Sequence, residues 1–263
     1  MERKLEIRSL ELKVGSGRES RVIFSGIDAV AEKSQFIALV GANGKGKSTL
    51  LKTISGILPK YGDGEILFAG KPLEEYLTRE RSEIFSFVGA GSPRARHLSV
   101  RGLMSINRYY KTNWLGTIKA EDMQQISKAL EMVSLPGFEE RDSSVLSDGE
   151  YQRVTIAAAI AQDTECIILD EPTAFLDIAN RFLITKLLRD IAHKSGKCVI
   201  FSTHDLQSAL QMCDKIWVMA CDGFYDDTPR QLMEHDVFNK IFDRQEIVFD
   251  KVTRSFETTN DRQ

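Results

Sequence analysis

Two hydrophobic rhythms run through this chain of 263 residues. Near the start, Leu5, Ile7, Leu10, Leu12 and Val14 alternate with polar neighbours. A period of two turns one face to a core and the other to water, which predicts a half-buried antiparallel strand. The turn Gly62-Asp63-Gly64 followed by residues 65–69 predicts another. Five further runs, 36–40, 84–88, 166–169, 198–201 and 216–220, are apolar almost throughout. Runs of that kind suit central strands buried on both faces.

Between them the period lengthens to that of a helix. Residues 48–58 form one candidate, and Leu183, Leu187, Leu188 and Ile191 mark another after Asp177, with Gly196 placed to end it. Leu206, Ala209, Leu210 and Cys213 repeat the pattern after Asp205. Strand and helix in alternation imply an α/β fold with a mixed, mainly parallel sheet. Residues 99–145 lack strand signals, whereas Met123, Ile126, Ala129, Leu130 and Val133 trace one helix face. This stretch reads as a helical subdomain set into a core formed by 1–98 and 146–255, all within one domain. Residues 256–263 read as a disordered tail.

Composition narrows the function. The balance of 35 basic and 38 acidic residues gives a formal charge of −3, with no basic excess to neutralise a nucleic acid backbone. The cysteines Cys166, Cys198, Cys213 and Cys221 form no C-x-x-C pair, and two of them fall in apolar runs, which favours a reduced compartment. Met1-Glu2-Arg3-Lys4 leads into alternation rather than an apolar block, so no secretory signal is read there. The longest apolar stretch, 154–161, is far short of the ~20 residues that span a bilayer. Any membrane role would come through a partner.

The chemistry lies at the ends of the apolar runs. Gly41-Ala42-Asn43-Gly44-Lys45-Gly46-Lys47-Ser48, followed by Thr49, is a Gly-x-x-x-x-Gly-Lys-Ser phosphate loop. Its glycines let backbone N–H groups turn inward around an anion, and the helix after it directs its positive end to the same point. Lys47 is placed for the β- and γ-phosphates, Ser48 for Mg²⁺, and Lys45 for solvent. Asp170 and Glu171 close a second apolar run. Asp170 is the candidate for holding Mg²⁺ through water, and Glu171 for polarising an attacking water. His204, one of four histidines, follows a third run and is placed to help hold that water.

Together with Leu146-Ser147-Asp148-Gly149-Glu150, Phe175-Leu176-Asp177 and the context Leu169-Asp170-Glu171-Pro172, these strings resemble the ABC (ATP-binding cassette) ATPases from Leu5 to about Phe249. Within that family the chain is most similar to ATP-binding subunits of importers for iron–siderophore, haem or cobalamin. The segments 110–114 and 227–232 carry that narrower likeness. The resemblance implies a P-loop NTPase core with an N-terminal antiparallel β-subdomain and an inserted helical subdomain. It implies a head-to-tail homodimer in which each ATP lies between one phosphate loop and the opposing Leu146, Ser147, Asp148, Gly149 and Glu150, with Asp177 in the loop at the dimer seam. It also implies integral-membrane permease subunits, indirectly a substrate-binding protein, and a cytoplasmic place on the inner face of the membrane. A soluble assembly ATPase of the iron–sulfur scaffold type is the alternative.

Three departures stand out against that pattern. Ala90 occupies the position where the family usually has a glutamine near Mg²⁺ and water. Lys13-Val14-Gly15-Ser16 holds no aromatic ring to stack on adenine, a loss on the order of 1–3 kcal/mol. Asp148 and Glu150 stand where many members of the family have glycine and glutamine, with Arg153 one turn on to offset part of the charge. Arg94, Arg96 and His97 form a small basic run after the altered loop, a candidate for docking to the membrane subunit.

Overall fold

The computed structural model describes residues 3–15, 20–60, 62–91, 97–106, 120–174, 176–242 and 247–258. Arg94, Arg96, Phe175 and the whole 110–114 segment lie outside them, as do residues 259–263.

The chain opens with β1 (Arg3–Val14) and β2 (Arg21–Glu32), then β3 (Phe36–Gly41) and α1 (Lys47–Ile54). It continues through β4 (Glu65–Phe68), β5 (Lys71–Pro72), α2 (Thr78–Ile84) and β6 (Phe85–Val88). Then come α3 (Val100–Ile106), α4 (Ala120–Met132), α5 (Asp148–Ala161), β7 (Cys166–Leu169), α6 (Ile178–Ser195), β8 (Cys198–Ser202) and α7 (Leu206–Met212). The last elements are β9 (Lys215–Met219), β10 (Phe224–Asp227), α8 (Pro229–Glu234), β11 (Ile247–Asp250) and β12 (Ser255–Thr258).

The central sheet has the order β10-β9-β3-β8-β7-β6, parallel except for β10. Its strands are apolar on both faces because both faces are covered. Ile37 and Leu39 of β3 share a core with Leu50, Leu51 and Ile54 of α1 and with the antiparallel sheet β2-β1-β4-β5. Phe36, Ala38 and Val40 point the other way, into a core with Val154 and Ala158 of α5 and Leu188 of α6. Cys166 and Ile168 against Ile167 and Leu169 repeat the same division. The half-buried β1 and the fully buried β3 thus stand as their periods predict. Between β6 and β7 the described regular elements are helices, apart from one β-bridge between Ser99 and Asp142, and Ile126, Ala129, Leu130 and Val133 are buried.

One expectation needs correction. Residues 256–258 are not a disordered tail: they belong to β12, paired with β11. Phe256 is the reason, since its ring packs 5.5 Å from Phe249 and 5.2 Å from Phe242. Leu183 lies in α6 as its spacing predicts and is 60% exposed, because Leu188, Ile191 and their neighbours are the residues that reach the core.

One carboxylate binds the two sheets together. Asp226 of β10 accepts hydrogen bonds from the Val30 amide of β2 at 2.8 Å and from Trp217 Nε1 at 3.0 Å, and it pairs with Lys215 at 2.7 Å. Lys215 Nζ in turn donates to the Val30 carbonyl at 2.9 Å. Removing the carboxylate would leave a half-buried ammonium and an indole N–H without their acceptor. Asp226→Ala should therefore cost about 2–3 kcal/mol in urea unfolding; a change below half a kilocalorie would rule the clamp out. Burial pushes the Cys213 thiol up, Cys166 and Cys198 are also buried, and Cys221 alone is exposed. A thiol reagent should therefore titrate one cysteine quickly in the native protein and all four in denaturant.

Candidate functional site

Parallel strands end at the same edge of a sheet, and loops gathered at that edge form the site. β3 delivers the phosphate loop there, β7 delivers Asp170 and Glu171, β8 delivers Ser202 to His204, and β6 delivers Ala90. The Asp170 amide donates to the Val88 carbonyl at 2.8 Å, and the Thr203 amide to the Leu39 carbonyl at 3.1 Å, so the strand ends are locked in register.

The loop folds as its glycines require. Gly46 has φ +101 and caps α1; a Cβ there would lie 2.9 Å from Ile23 Cδ1 of β2. At Gly41 a Cβ would lie 2.9 Å from the Met219 carbonyl oxygen. The loop is thus wedged between β2 and β9, with the amides at the start of α1 directed outward as anion donors. Lys47 is 6% exposed, and its Nζ donates to the carbonyls of Gly41 at 2.8 Å and Ala42 at 3.2 Å. Burial lowers its pKa from the ordinary 10.5, while the charges of Glu171 and Asp170 draw it part of the way back. An ammonium held in this way is short of negative charge, which a phosphate supplies.

Opposite the loop, Asp170 is 3% exposed. The Ser202 hydroxyl donates to its Oδ1 at 2.7 Å and accepts from the Glu171 amide at 2.8 Å. Glu171 sits at φ +50, a left-handed conformation that a non-glycine residue adopts at some cost. That backbone turn aims its carboxylate at His204, whose Nε2 lies 2.9 Å from Glu171 Oε1. Glu171, His204, Thr173, Thr203 and Arg181 line a cavity of about 170 Å³. The sequence reading did not single out Ser202 or Arg181. A polar residue closing an apolar run, two positions before His204, was the available signal for Ser202; the packing of α6 behind the site left none for Arg181.

The residues fit a hard divalent cation. Ser48 and Asp170 offer oxygen donors only, and among the described residues no cluster of three His, Cys, Asp or Glu side chains forms a complete cage. Two protein oxygens with the remaining positions left to water and phosphate is the arrangement Mg²⁺ prefers. Ala90 follows β6 at the same edge and contributes a methyl group, so it adds no donor to this set.

Two expected pieces stand apart from the phosphate loop in this chain. Ser147 caps α5, its hydroxyl accepting from the Glu150 amide at 3.2 Å. Asp177 caps α6, where hydrogen bonds from the Asn180 amide and side chain, each 2.8 Å, hold its carboxyl below the ordinary carboxylate range. Neither has a phosphate-loop residue among these partners. Val14, at the end of β1, is 50% exposed and pairs with Arg21, with no ring beside it in β1.

Comparison with known proteins bears on the family and the fold. The family profile described as ABC transporter matches residues 24–174, more than half the chain. The achromobactin transport ATP-binding protein CbrD of Dickeya dadantii (strain 3937) is 32% identical over 90% of this chain and 87% of its own length. The petrobactin import ATP-binding protein FpuC of Bacillus anthracis is 29% identical over 94% and 90%. Among solved structures, one assigned to the metal-chelate type of ABC transporter, in an inward-facing conformation, superposes with a TM-score of 0.78 at 26% identity, covering 97% of this chain and 96% of that one.

The state of Lys47 gives a prediction with a sign. With its pKa lowered by folding, the unfolded chain binds more protons between the lowered value and 10.5, so stability rises with pH in that window. Below the window the charged lysine is a full penalty. Lys47→Met should therefore raise the nucleotide-free unfolding midpoint at pH 8, with the gain shrinking as pH approaches 10.5. The same variant should lose the rise in midpoint that ATP produces in the parent. A variant that keeps the ATP-dependent rise would remove Lys47 from the phosphate site.

Proposed function

The chain belongs to the ABC transporter family, and we propose that it is the ATP-binding and hydrolysing subunit that energises a membrane importer of a metal chelate such as an iron–siderophore complex. The observation that carries the reading is the convergence, at one sheet edge, of the buried Lys47 with the Ser202-linked pair of Asp170 and Glu171 and the Glu171–His204 contact.

In this reading Gly41 to Thr49 wrap the phosphates, and Lys47 gives up its two carbonyl partners for phosphate oxygens. Ser48 and Asp170 would hold Mg²⁺, which supplies charge neutralisation at the β- and γ-phosphates when bound. Glu171 accepts a proton from the attacking water, and His204 holds the carboxylate in line and contacts the γ-phosphate. The Ser202 hydroxyl keeps Asp170 and Glu171 in fixed relation throughout. Two copies pack head to tail, so that Ser147 and Gly149 at the start of α5 meet the nucleotide of the other copy, with Asp177 near the seam. Binding closes the pair and hydrolysis reopens it, a two-state element biased by its ligand.

No described helix is long and apolar enough to cross a membrane. Transport therefore needs integral-membrane permease subunits, and the import names of the relatives favour a substrate-binding protein upstream of them. The subunit would act from the inner membrane face. The segment 99–145 would serve as the helical subdomain that meets the permease.

Glu171→Gln should lower kcat by roughly 10²- to 10⁴-fold while leaving ATP binding intact. In the presence of Mg²⁺ and ATP it should convert monomers to stable dimers, read by particle mass. Persistent monomers at saturating nucleotide, with the cognate permease present, would refute the sandwich. Affinity capture from membranes should recover a polytopic subunit; capture of soluble scaffold proteins alone would refute the transport role. Because Ala90 brings no donor, Ala90→Gln should raise turnover, and an unchanged rate would show that Glu171 and His204 suffice.

A further inference from the structure

The start of α5 already carries an anion of its own. Glu150 folds back on Ser147, and its Oε2 accepts hydrogen bonds from both the Ser147 amide and the Ser147 hydroxyl, each at 2.8 Å. The Glu150 amide returns a bond to the hydroxyl oxygen at 3.2 Å. The bonds from Ser147 hold the Glu150 carboxyl below the ordinary carboxylate range, with smaller help from Arg141 and Arg153. Neither arginine takes over the oxygen that faces Ser147. Arg141 Nη1 stands 4.0 Å from the other oxygen, Oε1, and Arg153 Nε is turned to the Gly149 carbonyl at 3.4 Å.

A hydroxyl has a single proton to donate. While that proton points at Glu150 it is not available to a phosphate oxygen. An incoming γ-phosphate must take the proton from a charged acceptor, which makes the stronger kind of hydrogen bond. It must also settle within a few ångströms of a full negative charge that water screens less as the interface closes. A glutamine at this position could accept from the Ser147 amide with its neutral oxygen, so the helix would stay capped without the repulsion.

We propose that Glu150 is a positioning residue for Ser147: it withholds the serine hydroxyl from the opposing nucleotide and so raises the ATP concentration at which two copies close. The inference rests on the reading of Ser147 as a contact made across the dimer. It assigns Glu150 a part in setting nucleotide demand, distinct from its part in capping α5.

The test is an ATP titration of dimer formation in the full chain carrying Glu171→Gln, with and without Glu150→Gln, in Mg²⁺ and read by particle mass. Adding Glu150→Gln should lower the half-saturating ATP roughly three- to thirtyfold. In chains that keep Glu171, the apparent KM for ATP should fall by a similar factor while kcat moves much less. The gap between parent and variant should narrow as salt is raised, because screening weakens the repulsion. Glu150→Ala separates capping from charge: it should lower the unfolding midpoint, which Glu150→Gln should leave in place, yet it should also lower the half-saturating ATP. An unchanged or higher half-saturating ATP in Glu150→Gln overturns the inference and leaves the dimer standing. Failure of Glu171→Gln to dimerise at any ATP concentration overturns both.

Discussion

The site depends on one hydroxyl group. Ser202 stands at the end of β8, gives its proton to Asp170 at 2.7 Å and receives the Glu171 amide at 2.8 Å. Both partners close β7, the neighbouring strand, so a single side chain fixes the carboxyl ends of two strands against each other. The second bond has a backbone consequence. It holds the amide of a residue at φ +50, and without a partner for that amide the left-handed turn would have little to maintain it. The turn sends Asp170 inward and Glu171 outward to His204. Two adjacent carboxylates thereby acquire different environments, one 3% exposed and bonded to the Ser202 hydroxyl, the other at a cavity wall beside His204, with both charges felt by Lys47. Separate roles for neighbouring acids follow from that division.

The opposing side of the site is built on an unfavourable placement. Lys47 is buried, its charge is disfavoured by that burial, and its hydrogen bonds go to carbonyls of its own loop. β2 and β9 lie so close to Gly46 and Gly41 that no side chain fits at either position. The rigidity of that packing traces to the Asp226–Lys215–Val30 clamp, because β2 brings Ile23 to Gly46 only while it stays docked on β9 and β10. A binding site that is strained before its ligand arrives gains more when the ligand arrives. Fold stability and ligand affinity are therefore linked through the same strands.

Much of this was legible in the sequence, for identifiable reasons. The apolar runs at 36–40 and 166–169 read correctly because burial on both faces leaves no alternation, and the charged residues directly after them mark the functional edge of the sheet. Asp177 and Asp205 read correctly as helix starts because their capping bonds are local, to Asn180 and Ser208. What the sequence did not disclose are contacts made across long separations. Ser202 lies 31 positions from the amide it receives, and Asp226 lies 196 from Val30. The C-terminal strand was missed for a related reason. A short polar segment such as 255–258 shows no pattern of its own, and its order comes from one ring, Phe256, set against Phe249 and Phe242.

The departures from the family pattern bear on two different steps. On the proposed reading Val14 and Glu150 would bear on nucleotide binding and Ala90 on cleavage, while the contacts joining Ser202, Asp170, Glu171 and His204 are present. Loss of a base stack weakens ground-state and transition-state binding alike, which alters KM more than kcat. A charge beside Ser147 acts in the same direction, since it opposes closure before any bond is broken. Ala90 differs, because a missing donor near the attacked phosphate bears on the transition state itself. On the proposed reading, Val14 and Glu150 together would weaken the chain's grip on its fuel. In a subunit whose closure moves a partner, a weak grip leaves the open state dominant until another interaction favours closing. The permease is the surface best placed to supply that interaction, so the cost set by Glu150 would fall chiefly on cassettes that close without it.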